Sequence, residues 1–317
     1  TFFAQKMRFF DPAHYRFLSD ILRFNKKAKV INPSLSQRIT VGEFFEQYRF
    51  SRRFYEKYFL PMAAAIWSSP TEKIVDFPFR SMIEFYENHG MLQIKDRPTW
   101  FVISNGSKTY VDRIIDSSNG RFLTKTPVQQ VVKQGEQFRI LLTNGEFEQV
   151  FDHVIVACHS DQALRIAGNC LSDTQKNILS AFAYQPNTAV LHSDSSWMPK
   201  RRKIWSAWNY HIPKQDSDFA TLTYDMNILQ QLDCADRHFV TLNPQHSIDP
   251  EYVIREFRYE HPLFTREREK AQSQHHELIC QNGLSFCGAY WGHGFHEDGL
   301  QSGMLVVNAI ERADVNA

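Results

Sequence analysis

Apolar residues recur at helical spacing through the first third of the chain, which predicts a set of amphipathic helices. Thr40 and Glu43 have the spacing of a capping box, so one helix is predicted from there to about residue 59. Another is predicted over residues 79–89, because Gly90 follows at a position where helices commonly end. Residues 1–97 hold 20 of the 44 aromatic residues, which form either a core or the wall of an apolar tunnel.

From residue 98 the pattern changes to the short apolar runs and alternation that are typical of strands. Asn144-Gly145 is a hairpin signal between two of these runs. The predicted strands cover residues 100–103, 127–132, 138–143, 147–150, 152–158, 188–192, 203–208, 219–224, 239–242 and 252–259, with helices from residue 110 and over 161–166, the second capped by Ser160. The later strands predict a broad antiparallel sheet, and the whole pattern predicts an α+β fold.

The stretch from Leu284 to Val307 differs from the rest. Residues 284–287 form a short apolar run, as in a buried strand, and glycines follow at 288, 292, 294 and 299. Apolar residues then recur at helical spacing, at Leu300, Met304, Val307 and Ile310. A glycine-rich loop between a strand and a helix lets backbone approach a ligand and directs helix N–H groups at it. The stretch therefore predicts a site for a large, partly anionic cofactor.

Composition narrows the function classes. A length of 317 residues suggests two domains, and a net charge of +1 gives no reason to expect nucleic acid as a partner. Five cysteines without C-x-x-C spacing favour a reducing compartment, so a cytoplasmic location is expected. No histidine spacing suits a metal, and no G-x-S-x-G elbow suits a hydrolase.

The C-terminal stretch resembles the flavin motif of the flavin-containing amine oxidase superfamily. The matching pieces are Phe286-Cys287-Gly288 and the run from Glu297 to Gly303, and the longer segment 287–299 resembles a bacterial group of predicted NAD/FAD-binding proteins. The resemblance implies FAD as cofactor. It assigns residues 98–180 and 273–317 to the FAD-binding domain, and residues 1–97 and 181–272 to the substrate domain.

The resemblance also implies which residues bind the flavin. They are Val128, through its backbone, and Gly288, Ala289, Tyr290, Glu297, Asp298, Gly299 and Leu300. Tyr290 stands where the superfamily usually has an acid that holds the ribityl chain. The alternative for Glu297 and Asp298 is that they do not contact the flavin, since acidic residues are common in the first turn of a helix.

Tyr290 and His293 are the candidate catalytic residues, since either could face the substrate side of the ring and relay a proton. The alternative is that both are packed, hydrogen-bonded loop residues. Trp67, Trp205, Trp208 and Tyr224 are the candidate substrate residues, in strands and helices that the resemblance places in the substrate domain.

The expected function is an FAD-dependent oxidoreductase that takes hydride from an apolar, lipid-like small molecule. An amine oxidase and a non-catalytic lipid- or partner-binding protein are the alternatives. Basic residues cluster between residues 6 and 57, either as a solvated face or as a peripheral contact with an inner membrane. The oligomeric state stays open. Because no G-x-G-x-x-G follows a strand, the resemblance also predicts that a first βαβ unit precedes this sequence.

Overall fold

The computed structural model describes residues 5–30, 39–212 and 221–315. Its helices are α1 Pro12–Val30, α2 Val41–Tyr48, α3 Arg52–Phe54, α4 Leu60–Trp67, α5 Thr71–Ile74, α6 Phe79–Asn88, α7 Lys108–Ser117, α8 Ser160–Ala167, α9 Asp173–Ser180, α10 Met226–Leu229, α11 Arg266–Gln272 and α12 His296–Val315. None of the helices in these ranges could span a bilayer.

The strands are β1 Val128–Gln134, β2 Gln137–Leu142, β3 Gly145–Phe151, β4 Val154–Val156, β5 Tyr184–His192, β6 Trp208–His211, β7 Thr221–Asp225, β8 Phe239–Leu242, β9 Val253–Pro262 and β10 Leu284–Phe286. They form a three-stranded sheet β1-β2-β3, a parallel pair β10-β4 and a five-stranded sheet β6-β7-β8-β5-β9. The predicted mixture of helices and sheets is confirmed.

The chain divides into two compact units. Unit 1 is Thr1–Tyr110 with Gln185–His261, and unit 2 is Val111–Tyr184 with Pro262–Ala317. The domain boundaries predicted from the sequence, at residues 97, 180 and 272, remain a prediction. The assignment of the units to flavin and substrate remains a prediction.

The helices of unit 1 enclose an aromatic core. The ring of Phe24 lies within 6.1 Å of the rings of Phe44, Phe45, Phe50, Phe54 and Phe59. Phe44 also stacks on Phe79 at 3.9 Å. All of these rings except that of the half-buried Phe50 are buried, and they pack against one another, so these phenylalanines act as core.

The capping box is present at the start of α2. Thr40 Oγ1 accepts from the Glu43 N–H at 3.3 Å, and the Glu43 carboxylate accepts from the Thr40 N–H at 2.7 Å. The predicted extent to residue 59 is wrong, because Arg49 adopts a left-handed conformation with φ 45° and ends α2. Ser51 then caps α3, and its own N–H donates to Asp20 at 2.9 Å.

Other predicted elements need correction. Residues 100–103 form no strand; their side chains are exposed and pair with no neighbouring strand. Residues 202–204 form a 3₁₀ turn, so β6 begins at Trp208 rather than at 203. Ser160 is the first residue of α8 rather than its cap, and its N–H donates to the Tyr184 hydroxyl at 3.0 Å. Residues 219 and 220 of one predicted strand lie outside the described residues.

Unit 2 places the glycine-rich loop at one edge of its parallel pair. Val154 pairs with Leu284 and Val156 with Phe286, so β4 and β10 end together. The loop follows β10 directly, at the carboxyl ends of the strands, where ligands bind in open α/β sheets. The predicted apolar stripe of α12 is exposed at Leu300, Met304 and Val307, and the helix instead buries Ser302 and Val306.

Candidate functional site

The loop begins at a glycine that the local packing requires. Gly288 has φ 156°, and a Cβ there would lie 2.6 Å from the ring of Tyr290. The Gly288 N–H donates to the Ser302 hydroxyl at 2.8 Å, and that hydroxyl lies 2.8 Å from the Gly299 carbonyl. The second turn of α12 thus fixes the start of the loop.

The start of α12 packs directly on the loop. A Cβ on Gly292 would overlap the Asp298 carboxylate, and one on Gly299 would lie 3.7 Å from the Ala289 nitrogen. Asp298 accepts from the Phe295 N–H at 2.9 Å. Glu297 accepts from Gln301 at 2.6 Å, so both acids have partners within this segment.

Two side chains of α11 hold the loop from behind. Arg268 donates to the Gly292 carbonyl at 2.5 Å, and Gln272 donates to the Gly292 and Tyr290 carbonyls at 2.7 and 2.9 Å. Arg268 is 1% exposed, and its guanidinium lies 3.8 Å from the centre of the Phe264 ring. Burial lowers the pKa of Arg268 to about 10, so it stays charged at neutral pH.

Both candidate catalytic residues lie in this loop, in different settings. Tyr290 is buried, with its ring 4.8 Å from Phe182 and 5.0 Å from Trp291. Burial raises the pKa of Tyr290 well above its usual value, so the phenol is neutral at physiological pH. His293 is half-buried and stacks on Phe264 at 6.3 Å. The packing of Tyr290 favours the alternative that it is a packed loop residue. The catalytic role of either residue remains a prediction.

Comparison with known proteins identifies the family. A family model described as flavin containing amine oxidoreductase matches residues 12–197, more than half of the chain. The chain belongs to this family. The matched region lies outside the C-terminal loop, so it supports the resemblance independently of that motif. No curated protein matches the chain in sequence.

Solved structures of this amine oxidoreductase fold resemble the chain. A protein described as a protoporphyrinogen oxidase from Exiguobacterium sp. 255-15 has a TM-score of 0.62 at 12% identity, covering 93% of this chain and 71% of its own. Cyclohexylamine oxidase from Brevibacterium oxydans has 0.59 at 11%, covering 96% and 76%. A fatty acid isomerase from P. acnes has 0.60 at 10%, covering 94% and 75%. Such identities establish the fold alone.

Membership of the flavin amine oxidoreductase family gives FAD as the cofactor, and the loop of unit 2 fits it. Gly288 leaves no room for a side chain, so only backbone atoms are present at the point where the loop leaves β10. The 20-residue helix α12 begins immediately after, and its positive N-terminal end suits an anionic or electron-rich group. Gly288, Ala289, Tyr290, Asp298 and Gly299 are brought together there.

The remaining predicted flavin residues lie around or away from this loop. Leu300 is 58% exposed on the first turns of α12, and Glu297 lies beside it. Val128 begins β1 in the three-stranded sheet, where it pairs with Leu142. Arg268, Gln272 and Ser302 are contacts that the sequence prediction missed.

The predicted substrate residues all lie in unit 1 but do not form one group. Trp208 and Tyr224 are cross-strand partners with rings 5.5 Å apart. Trp205 donates its indole N–H to the Pro199 carbonyl at 2.7 Å and contacts Phe239. Trp67 is buried in the helical core, stacked on Tyr86 at 6.1 Å.

Many of the basic residues in the first helices have local partners. Arg23 pairs with Asp20 at 3.0 Å, and Arg53 pairs with Asp11 at the same distance. Lys27 lies 4.3 Å from the centre of the Tyr48 ring. These contacts favour a solvated face, and peripheral membrane contact remains a prediction.

Proposed function

We propose that this chain acts in an FAD-dependent oxidoreductase that removes hydride from an apolar, lipid-like small molecule. When bound, FAD supplies the hydride acceptor. The residues of the chain would hold that cofactor, through the loop after β10 and the start of α12, and would position the substrate.

The observation that carries the substrate class is the composition of one face of the sheet in unit 1. Ala65, Ala189, Leu222 and Leu242 pack there, with Tyr210, Tyr224 and Val240 against them. Burial raises the pKa of Tyr210 to about 12, and burial and then Tyr259 raise that of Tyr224. Both phenols are therefore neutral at pH 7, and this cluster contains no charged side chain. The four aliphatic members are buried, so a substrate would meet the half-buried Tyr210, Tyr224 and Val240 around them, where the cluster has no charged side chain to pair with an ammonium group.

One contact favours an amine oxidase as the second candidate. The edge-to-face pair of Trp208 and Tyr224 offers aromatic surface that could bind an ammonium group by a cation–π interaction. The names of the neighbours support both options, since they include a fatty acid isomerase and an amine oxidase.

Anaerobic bleaching of the flavin-loaded protein tests the proposal. Fatty acids of increasing length and simple primary amines are added separately, and the flavin absorbance is followed. Each buried methylene contributes about 0.8 kcal/mol, so the lipid concentration for half-reduction should fall roughly fourfold per added methylene until the site is filled. Bleaching by amines alone would reverse the order of the two candidates, and bleaching by neither would favour a binding protein.

A matched pair of variants locates the substrate surface. Trp208 and Trp100 are both exposed tryptophans of unit 1, at 46% and 68%. Trp208→Ala removes about half of a buried aromatic side chain, roughly 1 kcal/mol, and should raise the lipid concentration needed about fivefold. Trp100→Ala should leave it unchanged. Equal effects of the two substitutions would place the substrate elsewhere.

A further inference from the structure

Residues 199–205, which we call the basic loop, lie between β5 and β6 in unit 1. They contain the run Lys200-Arg201-Arg202-Lys203, and all four of these side chains are exposed. Over residues 195–215 the sequence has five lysines or arginines and no acidic residue. Lys200 and Lys203 form no ion pair with any described residue. The whole chain has a net charge of only +1, so the basic loop is a local concentration of positive charge.

Packing and one hydrogen bond fix the two ends of the basic loop. Trp197 precedes the loop and is 4% exposed. Trp205 donates its indole N–H to the Pro199 carbonyl at 2.7 Å, which joins the last residue of the loop to the first. The Arg202 guanidinium lies 5.6 Å from the centre of the Trp205 ring. Because the backbone of the loop is already ordered, less conformational freedom is lost when its basic side chains bind a partner.

Exposed apolar side chains follow the basic loop along β6, which is an edge strand of the five-stranded sheet. Trp208 begins β6, Ile212 follows its last residue, and both are 46% exposed. In membrane proteins tryptophan is enriched where the headgroups meet the apolar interior, and lysine and arginine extend their charges to the headgroups. A free phosphate ion has no apolar part for Trp208 and Ile212 to contact. Positive charge beside exposed apolar side chains therefore favours a bilayer with an anionic surface.

We propose that the basic loop and the edge strand β6 form a contact surface for an anionic phospholipid bilayer. The four basic side chains bind the headgroup phosphates electrostatically, and Trp208 and Ile212 contact the apolar layer beneath the headgroups. This contact goes beyond the proposed function, because it requires neither flavin nor turnover. Only the further step, that an acyl substrate is taken from the same bilayer, rests on the proposed function.

Flotation of the full chain with phospholipid vesicles tests the contact. One set of vesicles contains phosphatidylcholine and phosphatidylglycerol in equal amounts, and the other contains phosphatidylcholine alone. The chain should bind the first set and not the second. Between about 0.15 M and 1 M salt the screening length falls from about 8 Å to about 3 Å, so most of the binding should be lost at the higher salt concentration.

A matched pair of double variants locates the contact within unit 1. Each lysine or arginine near an anionic membrane surface contributes about fivefold in affinity, so Lys200→Gln/Lys203→Gln should weaken vesicle binding about 25-fold. The single variant Lys203→Gln should weaken it about fivefold. Lys26→Gln/Lys29→Gln removes the same charge from two exposed lysines of α1 and should leave binding unchanged. An unchanged midpoint of thermal unfolding confirms that each variant is folded.

Four results would overturn this contact. They are equal binding to both sets of vesicles, no binding to either set, equal losses in the two double variants, and a loss confined to the α1 variant. Tighter binding to a double-stranded DNA oligonucleotide than to the anionic vesicles would assign the basic loop to nucleic acid instead. Since no flavin reduction is measured, a negative result here leaves the proposed oxidoreductase intact, and a flavin that no lipid bleaches leaves the bilayer contact intact.

Discussion

Arg268 and Gln272 should stabilise the loop between β10 and α12 in a strongly non-additive way. Both side chains donate to the Gly292 carbonyl, and both reach the Tyr290 carbonyl, although the Arg268 bond to Tyr290 is long at 3.5 Å. Removing one donor leaves the other in place. Removing both leaves two carbonyls without these side-chain donors.

The expected free energies follow from this redundancy. Loss of one shared hydrogen bond costs about 1 kcal/mol, and Arg268→Met also recovers part of the cost of burying a charge. A carbonyl left without any donor costs about 1–3 kcal/mol. The loss of loop stability in the double variant Arg268→Met/Gln272→Ala should therefore exceed the sum of the losses in the two single variants by about 1–3 kcal/mol. A double-mutant cycle measures this coupling free energy.

Hydrogen exchange of the loop amides is the appropriate assay, since it reports local opening rather than global unfolding. The amides of Trp291, Gly292 and Gly294 bond to the Gly288 and Ala289 carbonyls. Their protection should fall about fivefold in each single variant, and by at least about a further fivefold beyond the product in the double variant. Lys270→Met, on the exposed side of α11, is the matched control. Additive losses would refute the shared clamp.

Three further outcomes are expected. Gly288→Ala should lower the free energy of unfolding of unit 2 by about 1–3 kcal/mol, because Gly288 has a positive φ and a Cβ there would contact Tyr290. Gly303→Ala should raise that free energy by about 1 kcal/mol, because a Cβ at this mid-helix position meets nothing within 4 Å. Denaturant titration measures both changes, and equal effects would contradict the loop geometry. Gly299→Val should reduce the flavin occupancy of the folded protein. Gly299→Ala should retain it, because a Cβ there lies at an ordinary 3.7 Å from the Ala289 nitrogen. Full flavin occupancy in the valine variant would contradict the proposed position of the site. The midpoint of thermal unfolding should fall as the pH drops from about 7.5 through about 6.5 and below. Burial lowers the folded-state pKa of His192, His211 and His275, so the unfolded chain binds protons at a higher pH than the folded chain does. A midpoint that stays constant from about pH 7.5 to about pH 5 would contradict those shifts.

Local signals in the sequence were enough for several elements. Thr40 and Glu43 specify their capping box with residues three apart, and Gly90 ends α6 with φ 63°, a conformation in which a Cβ would strike Pro98. The Asn144-Gly145 turn joins two antiparallel strands near their predicted positions. In each case the residues that decide the structure are neighbours along the chain.

Other features depend on tertiary contacts between residues far apart in the sequence, so the sequence alone did not predict them. Nothing in the side chain of Arg49 predicts its left-handed conformation, which ends α2. The nearby tertiary contact is the Ser51 N–H, which donates to Asp20 of α1. Arg268 lies in the run Arg-Glu-Arg-Glu-Lys, whose composition suggests a solvated helix, yet only its own side chain turns inward to the loop. Periodicity over one helical turn could not separate it from Arg266.

The sheet of unit 1 shows how one short sequence can encode two chemistries. Along β7, Thr221, Thr223 and Asp225 face one side, and Leu222 and Tyr224 face the other, because side chains alternate on a strand. The polar side holds the hydrogen bond between the Thr223 and Thr241 hydroxyls, and the apolar side holds the cluster with Leu242. A one-residue shift of β7 would place threonine hydroxyls in the apolar cluster and break the hydrogen bond between Thr223 and Thr241. The pairing of Thr223 with Thr241 therefore specifies both faces at once.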